Sequence, residues 1–195
     1  MKRIMVLILS VALFAPLDAL AQSYNLDQFH SAIQFKVKHL MITNVKGVFE
    51  KFKGTVVIDE KDITKSKVDV SIEMASLNTN IAKRDEHLRS PDFFDAAKFP
   101  TMTFVSTKVE KAGPDKLKVT GNLTIKGVTK PVVLTVEGPT GEIKSPQGDV
   151  KRGASAVATV NRQDFGVSWN KKLDGGGLVV ADEVFITIDT ELVKQ

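Results

Sequence analysis

Residues 32–39, AIQFKVKH, decide the fold. Ile33, Phe35 and Val37 fall at every second position, and Gln34, Lys36 and Lys38 fill the gaps. Successive side chains of a strand point to opposite faces, so this octapeptide is a strand with one apolar and one wet face. The same pattern recurs outward from it. In residues 68–74, Val68, Val70, Ile72 and Met74 alternate with Asp69, Ser71 and Glu73. Residues 41–45 read as a turn-like piece and 48–59 as a longer strand bent at Gly54, while Tyr24 to Asp27 opens a strand nearer the start. Downstream, strands are predicted over 101–111, 116–125, 132–137, 153–160 and 182–193, the last with Val184, Ile186 and Ile188 on one face. Between them lie Gly113-Pro114-Asp115, the turn 126–131, a loop at 138–148 and Gly175-Gly176-Gly177, all with turn chemistry. Eight or nine strands on short connections predict an all-β antiparallel sandwich or barrel. A barrel of such strands has an interior that is either filled or holds one ligand.

One stretch breaks the rhythm: residues 83–104, KRDEHLRSPDFFDAAKFPTMTF. Asn80 is placed to cap a short helix that carries Asp85 and Glu86 early and Arg89 late, charges that suit the helix dipole. Ser90-Pro91 with Asp92 predicts a second helical start. Phe93, Phe94 and Phe99 leave this polar frame and need an apolar surface. Two readings stand: a plug closing the end of a β core, or a lid over a ligand cavity.

The ends and the composition bound the function. Lys2 and Arg3, the apolar run 4–15, Pro16 and the small residues Ala19 and Ala21 form an export signal cleaved before Gln22. The run is short for a membrane span. One domain is expected over residues 22–195, and export directs it to a bacterial periplasm. The chain has no cysteine, which excludes disulfides and a lipoprotein anchor. Without Lys2, Arg3 and Asp18 the chain carries a net charge of +3, spread along its length. No basic patch is interleaved with aromatics, so nucleic acid is not an expected partner. A transient attraction to anionic lipid headgroups fits the mild surplus. Three histidines (His30, His39 and His87) lack a metal-ligand spacing, and neither a Gly-x-Ser-x-Gly nor a phosphate loop occurs. No cofactor is expected. The competing enzyme reading is a hydrolase or isomerase acting on a small apolar substrate in the same interior. An outer-membrane barrel fails, because one Trp and one Tyr cannot build two aromatic girdles.

Several motifs, taken in order, carry a family likeness. They are Tyr24 to Asp27 with His30-Ser31; Phe35 to His39; and Gly47-Val48-Phe49 with Phe52 and Gly54. Next come Arg84-Asp85, His87-Leu88, Ser90-Pro91-Asp92-Phe93-Phe94-Asp95 and Phe99-Pro100. The last are the run from Gly121 to Thr129, Arg162-Gln163-Asp164-Phe165-Gly166, and Asp182-Glu183-Val184. In this order the chain resembles the YceI-like family of bacterial periplasmic lipid-binding proteins. The resemblance implies a lipocalin-like, extended antiparallel barrel of about eight strands, with the helical insertion of residues 80–95 near its mouth. It implies an elongated apolar pore for a polyisoprenoid or another long-chain amphiphile, such as an isoprenoid quinone or a fatty amide. It also implies binding rather than catalysis, and a loose link to quinone metabolism and to stress response. It tips Phe93 and Phe94 toward the lid.

Candidate pore residues are the regularly alternating apolar ones: Phe35, Val37, Phe49, Ile72, Met74, Phe104, Leu123, Leu134 and Ile186, with Phe93 and Phe94 above them. Met74 and Met102 would add adaptable surface for a flexible tail. Ala154, Ala156 and Ala158 either leave room for a chain or ease strand packing. Arg84, His87 and Arg89 are the candidates to meet a polar headgroup; the competing role for Arg84, with Asp85, is to hold the insertion in place. Arg162 and Asp164 are read as fixing the Phe165-Gly166 corner. The oligomeric state is open between monomer and homodimer.

Overall fold

The computed structural model describes residues 21–195, so all of the expected export signal except Ala21 lies outside the described residues. The strands are β1 (Gln22–Leu26), β2 (Ala32–His39), β3 (Thr43–Phe49), β4 (Phe52–Ile58), β5 (Lys67–Glu73) and β6 (Leu77–Asn78). They continue, after α1 (Ala82–Arg89), the one α-helix among the described residues, with β7 (Thr101–Gly113), β8 (Lys116–Ile125), β9 (Val128–Glu137), β10 (Ile143–Lys144), β11 (Val150–Asn161) and β12 (Val180–Lys194).

These strands form eight antiparallel staves. β1 and β2 lie end to end against one edge of β12. β3 and β4 run back along them, and β5 and β6 follow along β4 and β3. Three neighbouring staves are therefore bent: at Asp27 to Ser31, at Glu50-Lys51, and at the 3-10 turn Met74–Ser76. Straight staves β7, β8, β9 and β11 complete the round, and the long β11–β12 ladder closes it. The β11–β12 ladder closes the sheet on itself, leaving only short unpaired stretches such as β6 and the first half of β9, and the barrel expected from the sequence is the one observed.

Local departures have local causes. The stave predicted over 48–59 bends at Glu50-Lys51 rather than at Gly54, which sits inside β4 where a Cβ would meet the Asp69 carbonyl at 2.5 Å. The turn expected over 41–45 is shorter, since β3 already begins at Thr43. Likewise the turn 126–131 shrinks to Lys126-Gly127, both with positive φ (51° and 76°), and β9 runs through Pro131. That proline pairs with Asn122 on one side, while β11 joins β9 only from Thr135 onward, so its missing N–H faces no partner strand. Asn80 is not the helix cap: it has φ 64°, and Ile81 holds the cap position with no side-chain bond. After Ser90 the chain makes turns rather than a second helix, with Phe93 and Asp95 both donating to the Ser90 carbonyl.

The end of the barrel opposite α1 is closed by Tyr24. Its ring is fully buried against Ile58 and Leu192. Its hydroxyl donates to Glu142 (2.6 Å), and Arg152 Nε donates to that oxygen at 3.0 Å. Beside it, the bend between β1 and β2 is fixed by Asp27, whose carboxyl is lowered to about 2, first by its bond with His30 (2.8 Å) and then by the Phe29 N–H and Lys151. The folded value lies below the usual 3.8, so this stabilisation is complete above that value and is lost as pH falls from about 4 toward 2. Asp27→Asn is expected to lower stability at neutral pH. In denaturant titrations the gap to wild type should close between pH 4 and 2; a gap constant across that window would show that the Asp27 charge contributes nothing.

Candidate functional site

The barrel interior is not solid. A cavity of about 260 Å³ runs along it, from Leu88, Phe93 and Phe94 at the α1 end to Ile58, Pro139 and Leu192 near Tyr24. Inward positions on every straight stave contribute, and the wall is almost wholly carbon. Among the described residues the wall has one ionisable side chain, Arg162; its other polar residues are Gln34, Ser66, Ser155 and Thr190. No carboxylate or imidazole is available there for acid–base chemistry.

Ten of the eleven apolar candidates lie on this wall: Phe35, Val37, Phe49, Ile72, Phe93, Phe94, Phe104, Leu123, Leu134 and Ile186. Met102 joins them. Met74 does not; it falls in the 3-10 turn that ends the alternation of β5, and its side chain is buried in the surrounding core instead. Ala154 and Ala156 reach the wall, whereas Ala158 packs in the core. Two of the large rings depend on glycine. A Cβ on Gly47 would meet Phe35 Cζ at 2.4 Å, and one on Gly121 would meet Phe104 Cζ at 2.3 Å. Each ring thus occupies the space that a side chain on the neighbouring strand's glycine would take.

Above the cavity, α1 and the turns after it form a tethered cover. Asp85 is buried and accepts from the Thr79 N–H (2.9 Å) and hydroxyl. Arg84 donates to the Thr79 hydroxyl (2.7 Å) and carbonyl (2.8 Å), and Arg89 to the Leu77 carbonyl (2.5 Å). Arg84 and Arg89 are therefore tethers. His87 bonds Asp92 at 2.9 Å and sets its ring edge-on to Phe93 (5.0 Å) and Trp169 (5.1 Å). Neither Arg84 nor His87 lines the cavity: Thr79 engages Arg84 and Asp92 engages His87, which gives Arg84 the holding role that the sequence also offered. Lys126 adds a clasp from the β8–β9 turn to the Pro91 carbonyl at 2.9 Å.

Arg162 anchors the other side of the mouth. Its guanidinium is buried and donates to the carbonyls of Ala181 (2.9 Å), Val167 (2.6 Å), Trp169 (2.9 Å) and Val180 (3.3 Å), and to Asp182 at 3.2 Å. Burial pulls its pKa below the usual value, and Asp182 opposes that shift. The corner is fixed as the sequence suggested, but by Asp182 and four carbonyls rather than by Asp164. Trp169 and Lys126, which hold the cover, are missed by sequence reasoning because neither belongs to an alternating strand.

The family model of the YceI-like domain matches residues 24–192. The chain belongs to the YceI-like family. Protein YceI of Salmonella newport is 40% identical over 196 residues, spanning 100% of this chain and 98% of that protein. The crystal structure of Burkholderia cenocepacia BcnA superposes with a TM-score of 0.73 at 27% identity, covering 85% of this chain and 98% of BcnA. A polyisoprenoid binding domain from Saccharophagus degradans, implicated in plant cell wall breakdown, shares the fold at a TM-score of 0.63 and 15% identity, covering 90% of this chain and 99% of that domain. The YceI-like barrel is thus shared well beyond recognisable sequence identity.

Proposed function

We propose that this protein binds a polyisoprenoid or a similar long-chain amphiphile, such as an isoprenoid quinone, within its barrel, and that it carries or stores that lipid in the periplasm after export by the signal in residues 1–21. One observation carries the reading: an apolar cavity that runs the length of a closed barrel and has no free charge on its wall. At about 260 Å³ it lies just below the usual range of ligand pockets, and its course from Phe94 to Leu192 along the barrel suits an extended chain. Each methylene-sized group buried contributes about 0.8 kcal/mol, so roughly ten carbons gain about 8 kcal/mol before the cost of association. No strong polar contact is then needed. The polyisoprenoid-binding description of the Saccharophagus neighbour supports the same ligand class. The wall lacks the acid or base that the hydrolase or isomerase alternative requires.

Native mass spectrometry of protein purified from its own periplasm, followed by organic extraction, tests the proposal. A co-purifying long-chain isoprenoid supports it; an empty barrel that also refuses added prenols and quinones overturns it.

The cover makes a separate prediction. Phe93 is locked by Trp169 and His87, while Phe94 is only half-buried and faces the cavity. Phe94→Ala is expected to speed release of a bound prenol about tenfold with a small change in melting temperature. Unchanged release together with a large loss of stability would make the ring a packing plug.

A further inference from the structure

The β2–β3 hairpin ends in a turn whose chemistry does not suit its geometry. Leu40 and Met41 occupy its two central positions with φ 51° and 62°, and the Ile42 N–H closes the turn on the His39 carbonyl at 3.1 Å. Left-handed backbone at both positions favours Asn-Gly, and bulky apolar residues there are strained. Met41 and Ile42 point outward, 52% and 79% exposed. Residues 32–48 include Lys36, Lys38 and Lys46 but no acidic residue. The tip leans on the loop after Trp169: the Leu40 N–H donates to the Val179 carbonyl at 2.8 Å, and Met41 Cγ is 4.0 Å from where a Gly177 Cβ would stand. That loop adds exposed Lys171 and Lys172 against one acid, Asp174. His39 pairs with Val180, a residue of the cavity wall, so the tip projects just beyond the covered mouth.

We propose that this tip is a membrane-docking element: Met41 and Ile42 insert into the interface of an anionic bilayer, the five lysines settle among its headgroups, and the barrel mouth is held against the lipid. An apolar point set among five lysines, with Asp174 and the exposed Glu183 of the adjoining β12 bulge as the nearby acids not engaged by Arg162, carries a net positive surface and matches a bilayer of that composition in both respects. The inference goes beyond cargo binding, and its test uses vesicles that contain no isoprenoid, so either idea can fail alone.

The full protein is sedimented with vesicles of phosphatidylglycerol and phosphatidylethanolamine in equal parts, and separately with pure phosphatidylcholine. Binding is expected to the anionic vesicles and to weaken as salt rises. Reversing Lys171 and Lys172 together (K171E/K172E) should cut partitioning by at least about twenty-fold, since each lysine near such a surface is worth about five-fold. The pair Met41→Asp with Ile42→Asp should abolish it, while Ile143→Asp, at an equally exposed residue by the opposite end of the barrel, should leave it intact. All these positions are on the surface, and an unchanged melting temperature verifies folding. Equal loss in the Ile143 variant, or no binding by wild type at low salt, overturns the proposal. The second outcome would leave the tip to a protein partner.

Discussion

Arg162→Met is expected to lower the unfolding free energy by about 3–5 kcal/mol, the scale on which buried ionic groups and their partners fail when one side is removed. The guanidinium holds four carbonyls and Asp182 from a position that is 6% exposed. Methionine fills similar volume but donates nothing, so the buried Val167 carbonyl and the half-buried Trp169 carbonyl would lose this donor. Lysine should not rescue, because an ammonium cannot fork across acceptors spread over both sides of the 162–181 connection. A spectroscopic consequence follows. Trp169 is the chain's sole tryptophan, it packs against both His87 and Phe93, and Arg162 holds its carbonyl. In the variant its emission should shift to the red under conditions where the barrel is still folded. Urea titration and fluorescence check both parts; a loss below about 1 kcal/mol with unchanged emission would show that the connection stands without the arginine.

Much of this architecture was legible in the chain because the strand period is a direct imprint of burial. In a closed barrel each inward position must be apolar and each outward one wettable, so Phe35, Ile72 and Leu123 announce both the strand and its inner face. Met74 shows where that logic ends. It continues the alternation of Val68, Val70 and Ile72, yet the backbone has already turned into a 3-10 segment, and the side chain leaves the cavity wall. A bend of this kind comes from neighbouring staves kinking at one level, which no local pattern records. The mouth was less legible still. Arg84 and His87 look like free donors in sequence, whereas Thr79 and Asp92 satisfy them in the fold. The carbonyls that engage Arg162 are backbone groups, invisible to any reading of side chains. The turn at 41–45 was legible, but its left-handed Leu40-Met41 backbone was not, because local propensity argues against bulky apolar residues there.

Phe104→Asp is expected to abolish retention of a prenol, with affinity falling more than about a hundredfold. Phe104 lies 7% exposed on the cavity wall, across from Val70 and Leu123 and against Gly121. A carboxylate there faces carbon on every side, and the single basic residue of the wall, Arg162, already has its donors engaged. The group must therefore take a proton or recruit water, and either outcome spoils the site for a hydrocarbon chain. Ile72→Asp, two residues from the bend of its stave, should behave alike. Loss of a buried ring also costs roughly 3–5 kcal/mol of stability, so a variant that fails to fold needs a companion. Ala154→Phe supplies it, since it adds a ring to the cavity without burying charge and should exclude the chain by volume alone. Val105→Asp, on the outer face next door, is the control that should fold and keep its lipid. Uptake of a labelled prenol by folded protein decides the matter: undiminished uptake by Phe104→Asp and by Ala154→Phe would mean that the chain does not run through this barrel, and the apolar bore would need a different explanation.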